Sequence, residues 1–335
     1  MPHPVPGRNQ RFRAEWLILA AVTLGVAGLL AETLHREHAR IQSREGDRLD
    51  VQARVVVENL ASQLDGAGKA IDGVRIHMQH PSAAADADSL PDKLKLLTGV
   101  LPGVSTMLVQ DEDGTIVATS RDELLGKNFR QREYFSVPRA NGDPKLLFVS
   151  PPFKTSLNTY VMVVSRTLQS AAGGFAGVVS ATLDPEYFDA LMRSVVYAPD
   201  MRTALIHGDG RVFLGFPASA GWQDRDSAVL TKEASEHALG LHDGRLVATR
   251  RIDRADLHLN RPIFVTTSRE LEAIYAPWRS RASQLGVLVF ILLIGASVLL
   301  VVSQRRRLAD INAALAARIE RQLAADRVEM ALRGA

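Results

Sequence analysis

Two apolar runs bracket the chain, and the pattern between them changes period twice. Trp16 to Ala31 is an unbroken stretch of apolar and small residues plus Thr23. Leu285 to Ser303 carries no charge and is closed by Arg305, Arg306 and Arg307. A helix crosses a hydrocarbon core of about 30 Å with about 20 apolar residues, so the second run is long enough and the first slightly short. A cleaved signal peptide is the rival reading of the first run. Leu29 and Ala31 before Glu32 do not form a small-x-small cleavage site, which favours an uncleaved anchor. From Glu32 to about His80 the pattern is helical: Leu49, Val56, Leu60, Leu64, Ile71, Val74 and Met78 advance by sevens, fours and threes, one apolar stripe. Pro81 to Pro91 reads as a linker.

The period then becomes strand-like. Val104–Gln110, Thr115–Ser120, Lys145–Ser150, Tyr160–Leu168 and Phe175–Leu183 are short runs rich in Val, Thr, Phe and Leu. Asp113-Gly114 turns between the first two and Gly173-Gly174 between the last two. Asp184-Pro185-Glu186 then starts a helix, with Asp as cap and Pro in the first turn. A smaller copy follows: Thr203–His207, a turn at Asp209-Gly210, Arg211–Phe216, Leu246–Ile252 and Pro262–Thr267. A helix opening at Ser268–Leu271 runs through Trp278 into the second apolar run. Beyond it, Leu308, Ile311, Leu315, Ile319 and Leu323 mark an amphipathic helix suited to pairing in a homodimer.

The expected architecture is therefore α+β. It comprises a tail (1–14), a first span (15–32), a stalk helix (33–80), two antiparallel-sheet modules (81–198 and 199–280), a second span (284–303) and a terminal helix (304–335). Two spans put both termini on one side. The Arg-rich flanks assign that side to the cytoplasm, leaving residues 33–284 outside, although Arg36, Arg279 and Arg281 blur the asymmetry.

Composition narrows the chemistry. Among 335 residues, 46% are apolar and 23% charged, with a net charge of +3. No basic run interleaves with aromatics, so nucleic acid is not an expected partner. The absence of Cys excludes disulfides and thiolate chemistry. The His pairs 35/38 and 77/80 have helical spacing but no accompanying ligand motif, and Asp111–Asp113 lacks the later ligands of a Ca²⁺ loop. No metal, cofactor or catalytic residue is expected. No nucleophile-elbow sequence occurs.

One stretch stands out: Gly126-Lys127-Asn128-Phe129-Arg130-Gln131-Arg132-Glu133-Tyr134-Phe135. On a helix, Arg132 and Phe135 share a face, with Phe129 a turn earlier. Such a helix could close a pocket over a sheet, offering aromatic walls and a guanidinium fork for a carboxylate. The alternative is a surface helix with core aromatics and solvated arginines.

This order of anchor, long helix, two small modules and second anchor resembles the double Cache (PDC-type, tandem PAS-like) sensor regions of bacterial receptors. Those receptors include sensor histidine kinases, diguanylate cyclases and chemoreceptors. Arg132-Glu133-Tyr134-Phe135 is similar to the R-x-Y-F segment of dicarboxylate-type members, and Phe175–Phe188 is similar to the end of their membrane-distal module. The resemblance implies a ligand in that module, with Arg132 and Tyr134 as contacts and Phe129 and Phe135 excluding water. Arg130 and Tyr160 are further candidates. Arg166 shares a strand face with Tyr160, Met162 and Val164, and is either a second pocket guanidinium or part of a structural ion pair. Amino-acid-binding members carry an Asp on the closing strand. Thr182 stands there in this chain, which points to a carboxylate without an amine, unless Asp184 is the true equivalent. The expected partners are thus a small organic acid, the lipid bilayer, a second copy of the chain, and a cytoplasmic kinase or other output domain. The final residues are similar to the lead-in to a kinase phosphoacceptor helix, but no phosphoacceptor box or nucleotide-binding segment is present. The chain is expected to be the sensor part of a longer receptor or a stand-alone sensor. A ligand-free dimerisation or protein-binding module is the competing class.

Overall fold

The computed structural model describes residues 8–79, 89–155, 159–170, 172–220, 237–252 and 254–333. His80 and residues 81–88 of the expected linker lie outside them. Two compact units are present, one formed by residues Gln42–Ile274 and one by the two terminal stretches, Met1–Ile41 and Tyr275–Ala335.

In the larger unit, helix α1 (Arg8–Gln79) supplies a buried stripe. Leu49, Leu60, Leu64 and Ile71 are fully buried, and Val56 and Val74 nearly so. They are the positions that the 3–4–7 spacing selects. Helix α2 (Leu90–Val100), which the sequence reading missed, opens with Pro91 in its first turn and buries Leu90 and Leu94. Strands β1 (Val104–Gln110) and β2 (Ile116–Thr119) form the expected hairpin. Helix α3 (Glu133–Asn141) ends at Gly142, whose φ of 72° suits glycine.

Strands β3 (Phe148–Val149), β4 (Phe153–Lys154), β5 (Tyr160–Val161), β6 (Val163–Gln169) and β7 (Phe175–Leu183) follow. The first sheet has the order β2-β1-β7-β6-β3, all antiparallel, while β4 and β5 pair separately. The single strand expected over 160–168 is thus two strands that serve different sheets. Helix α4 (Pro185–Ser194) starts as expected: the Asp184 carboxylate accepts from the Glu186 amide at 3.0 Å.

The second sheet contains β8 (Arg202–His207), β9 (Val212–Phe216), β10 (His237–His242), β11 (Arg245–Ile252) and β12 (Ile263–Glu270), in the order β10-β11-β12-β8-β9. Strand β10 was not anticipated. Its Leu239 stays largely exposed, so the apolar alternation that marks a half-buried strand is weak. One apolar core runs from α1 and α2 through β1, β6, β7 and α4 to β8, β9 and β12. The last helix, α5, covers Leu271–Arg333.

In the smaller unit the two apolar runs sit on helices long and apolar enough to cross a membrane. Leu17, Leu24 and Leu29 on one, and Leu288, Phe290 and Leu299 on the other, are exposed. At one end Glu15 pairs with Arg307 at 2.7 Å and accepts from Gln304 at 3.0 Å. At the other the His38 ring stacks on Tyr275, with centroids 4.5 Å apart.

Candidate ligand pocket

The site begins with the β1–β2 turn. The Asp111 carboxylate accepts from the amides of Asp113 and Thr115, and Gly114 takes a φ of 84°. Residues 126–130 lie along this hairpin instead of forming a helix. The Gly126 and Phe129 amides donate to Ile116 and Gly114, Ile116 donates to Lys127, and Asn128 Nδ2 donates to the Asp113 carbonyl. A backbone already paired this way cannot also make helical bonds. The helix therefore starts at Glu133 with Arg132 as its cap, and Phe129 is not one turn back on the same face as expected.

A cavity of about 440 Å³ lies in the first module. Its floor is one face of the first sheet. Thr106, Thr182 and Val163 are register partners on β1, β7 and β6, and all three line it. Phe129, Tyr134 and Phe153 supply aromatic walls. The Arg132 guanidinium lies over the Phe153 ring, 4.9 Å from its centroid, and Tyr134 stacks on the same ring at 6.0 Å. Arg132 has no carboxylate partner among the described residues. Burial pushes the Tyr134 hydroxyl up to about 12, against the pull of neighbouring Arg132, so it remains a donor at neutral pH. Other charged groups ring the cavity. Lys127 and Arg121 are cationic, the latter paired with Glu123 at 2.8 Å, and Asp184 and Glu186 are acidic.

Five of the nine residues singled out from the sequence therefore meet here: Phe129, Arg132, Tyr134, Thr182 and Asp184. The other four do not line the cavity. Phe135 is fully buried against Phe148, Val163 and Val178, with an edge-to-face contact to Phe175. Arg130 is exposed and lies 3.8 Å from Asp113. Tyr160 packs against the main core. Arg166 does share a face with Met162 and Val164, but that face carries α1, where Arg166 pairs with Asp72. Alternation revealed which residues share a face, not which face α1 covers. Reasoning from sequence also missed Arg121, Lys127, Thr106 and Glu186. Of these, Lys127 belonged to the conspicuous stretch, and Thr106 alternates with Leu108 on β1. Among the described residues no three His, Asp or Glu side chains converge on a metal-holding arrangement.

No protein-family model and no curated protein matches the sequence. Solved structures do match. The extracellular domain of rpHK1S-Z16, named as a histidine kinase, is 27% identical with a TM-score of 0.60, over 70% of this chain and 98% of that one. The ligand-binding domain of the Pseudomonas aeruginosa PAO1 chemoreceptor PctC, in complex with GABA, is 18% identical with a TM-score of 0.52, over 68% and 100%. That of PctB from the same organism, in complex with L-Arg, is 15% identical with a TM-score of 0.54, over 70% and 98%. With its two sheets and long first helix, the chain has the fold of the double Cache (PDC-type) sensor regions seen in the extracellular domains of such histidine kinases and chemoreceptors.

Proposed function

We propose that this protein is a two-pass receptor sensor whose first module binds a small carboxylate outside the cytoplasm and signals across the membrane. The observation that carries this reading is Arg132, a guanidinium without a carboxylate partner among the described residues, held over Phe153 beside the Tyr134 hydroxyl in a cavity of about 440 Å³. A partly desolvated guanidinium without a counter-charge favours an anion. Tyr134 supplies a neutral donor, and Thr182 another hydroxyl. Residues Ile311, Leu315 and Ile319 leave an apolar stripe exposed on α5, which supports pairing of two copies. The output partner on this reading is a histidine kinase domain. Domain limits at 81–198 and 199–280 belong to the same proposal.

Asp184 favours a second reading. Its carboxylate lines the same cavity, so an acid that also carries an ammonium finds a counter-charge there. That observation weakens the argument against amino acids drawn from Thr182.

The test is a thermal-shift screen of the full chain in detergent micelles against organic acids and amino acids. At a hundredfold excess over Kd a ligand stabilises by about 2.7 kcal/mol. For a sensor region of this size that is a rise of roughly 5–10 °C in Tm. Arg132→Gln is expected to abolish the rise. Absence of any stabilising acid, or equal stabilisation of Arg132→Gln, refutes the site. Reporter fusions that place residues 33–284 in the cytoplasm refute the topology.

A further inference from the structure

The main cavity has an annex. A second hollow of about 170 Å³ shares Arg132, Tyr134 and Phe153 with it and adds Glu133, Ser150 and Arg211. The Arg132–Phe153 stack is thus a wall common to both. Arg211 comes from the β8–β9 connection of the second module and, among the described residues, is the one residue of that module to line the annex.

Its placement runs back through an exposed aspartate to a buried histidine. The Asp209 carboxylate accepts from Arg211 Nε at 2.6 Å and from the Arg211 amide at 3.0 Å. Asp209 in turn lies 2.8 Å from Nδ1 of His207, which is 1% exposed. His207 Nε2 lies 3.3 Å from the Val149 carbonyl on β3, so the chain of contacts is anchored in the first module. Burial works to raise the Asp209 pKa, but hydrogen bonds from the Arg211 amide, His207 and the Arg211 side chain hold it below the ordinary carboxylate range. The carboxylate is therefore charged at neutral pH and orients the guanidinium through Nε. The two terminal nitrogens have no partner among the described residues, which leaves them able to hold a carboxylate as a pair. Two guanidiniums and one carboxylate, Glu133, line the annex, an excess of one positive charge.

We propose that Arg211 is a ligand contact and specificity-determining residue supplied by the second module. It reads a second acidic group on a ligand whose first carboxylate lies against Arg132. A volume of 170 Å³ exceeds the roughly 30 Å³ share of a water several-fold, so a carboxylate with its adjoining methylene has room. Such a ligand touches both modules at once, and occupancy of the first is felt directly by the second. The inference rests on the pocket proposed above.

The experiment compares acids of equal chain length that differ only in the terminal group: succinate against butyrate, and glutarate against pentanoate. Binding to the full chain in detergent is measured by calorimetry. The wild type is expected to prefer the diacid of at least one pair tenfold or more. Arg211→Gln is expected to remove that preference without changing monoacid affinity, and Arg211→Lys to retain part of it. Glu133→Gln, which removes a like charge from the annex, is expected to raise the preference several-fold. Arg132→Gln is expected to lose both acids. If monoacids bind through Arg132 but the wild type shows no diacid preference, or Arg211→Gln keeps it, this inference is overturned and the pocket stands. If no acid binds the wild type, both fall. Should Arg211→Gln fail to fold, an unchanged preference in Glu133→Gln overturns the inference by itself.

Discussion

Replacing Arg269 by Met tests the electrostatics that fasten the second sheet to α1. Arg269 sits on β12, two residues before α5 begins, and is 14% exposed. Its Nη1 donates to Glu45 on α1 at 2.7 Å and its Nη2 to Asp200 at 2.8 Å. Asp200 also accepts from the Glu270 amide at 3.1 Å, and Tyr197 donates to Glu45 at 2.6 Å. Methionine keeps the length of the stem but leaves both carboxylates, 15% and 13% exposed, without their shared counter-charge. Breaking a buried pair by removing one partner costs about 3–5 kcal/mol. Two carboxylates that keep some water place this change near the lower end, about 3 kcal/mol. A region of this size loses roughly 2–4 °C per kcal/mol. Thermal unfolding of the full chain in detergent at pH 7, followed by circular dichroism, is therefore expected to shift down by about 6–12 °C. The pH dependence has a definite sign. Burial alone would raise the Asp200 pKa, but hydrogen bonds from Arg269 and the Glu270 amide outweigh it and lower it. A depressed carboxylate stabilises fully above its unfolded pKa of about 3.9 and loses that contribution as pH falls through its folded value. The gap between wild type and Arg269→Met should narrow as pH drops from 7 to below 4. A loss under 2 °C at pH 7, or a gap that ignores acid, refutes the reasoning. The link to the pocket is covalent and short: Asp184, Pro185 and Glu186 line the cavity, and α4 leads from them towards Asp200.

Two further changes are informative. A methyl group on Gly177 would stand 1.9 Å from the Gln110 carbonyl oxygen, at a φ of 139°, so Gly177→Ala is expected to lower Tm by roughly 8 °C or more. Gly173→Ala, at a φ of 83° in open space, should cost only about 1 kcal/mol; equal losses in the two variants would refute the close approach. Tyr134 should ionise near pH 12, read as the absorbance difference between wild type and Tyr134→Phe during alkaline titration. Ionisation near 10 would mean that the phenol is not desolvated.

Periodicity alone specified the frame of this protein. Two apolar runs and the stripe from Leu49 to Val74 follow from helix geometry, and the stripe is buried where spacing places it. Tight turns at Asp113-Gly114 and Asp209-Gly210, and the cap at Asp184, are local chemistry that neighbouring residues decide among themselves. Arg132 and Tyr134 were legible because a distinctive motif carried them. Helix α2 and strand β10 were missed because one follows the linker and the other leaves its apolar positions exposed.

Tertiary structure decided the rest, because each remaining question concerned a partner distant in sequence. Residues 126–130 could have continued a helix, but the β1–β2 hairpin took their hydrogen bonds. Arg166 lost its candidacy because α1 covers that face of the sheet, Tyr160 because it packs against the main core, and Phe135 because it packs with Val178. Arg211 reaches the annex only because His207 and Asp209 fasten its hairpin to β3. Spacing along one strand determines which side chains point together. Which of the two sides receives a helix, a cavity or solvent depends on the packing of segments a hundred residues apart.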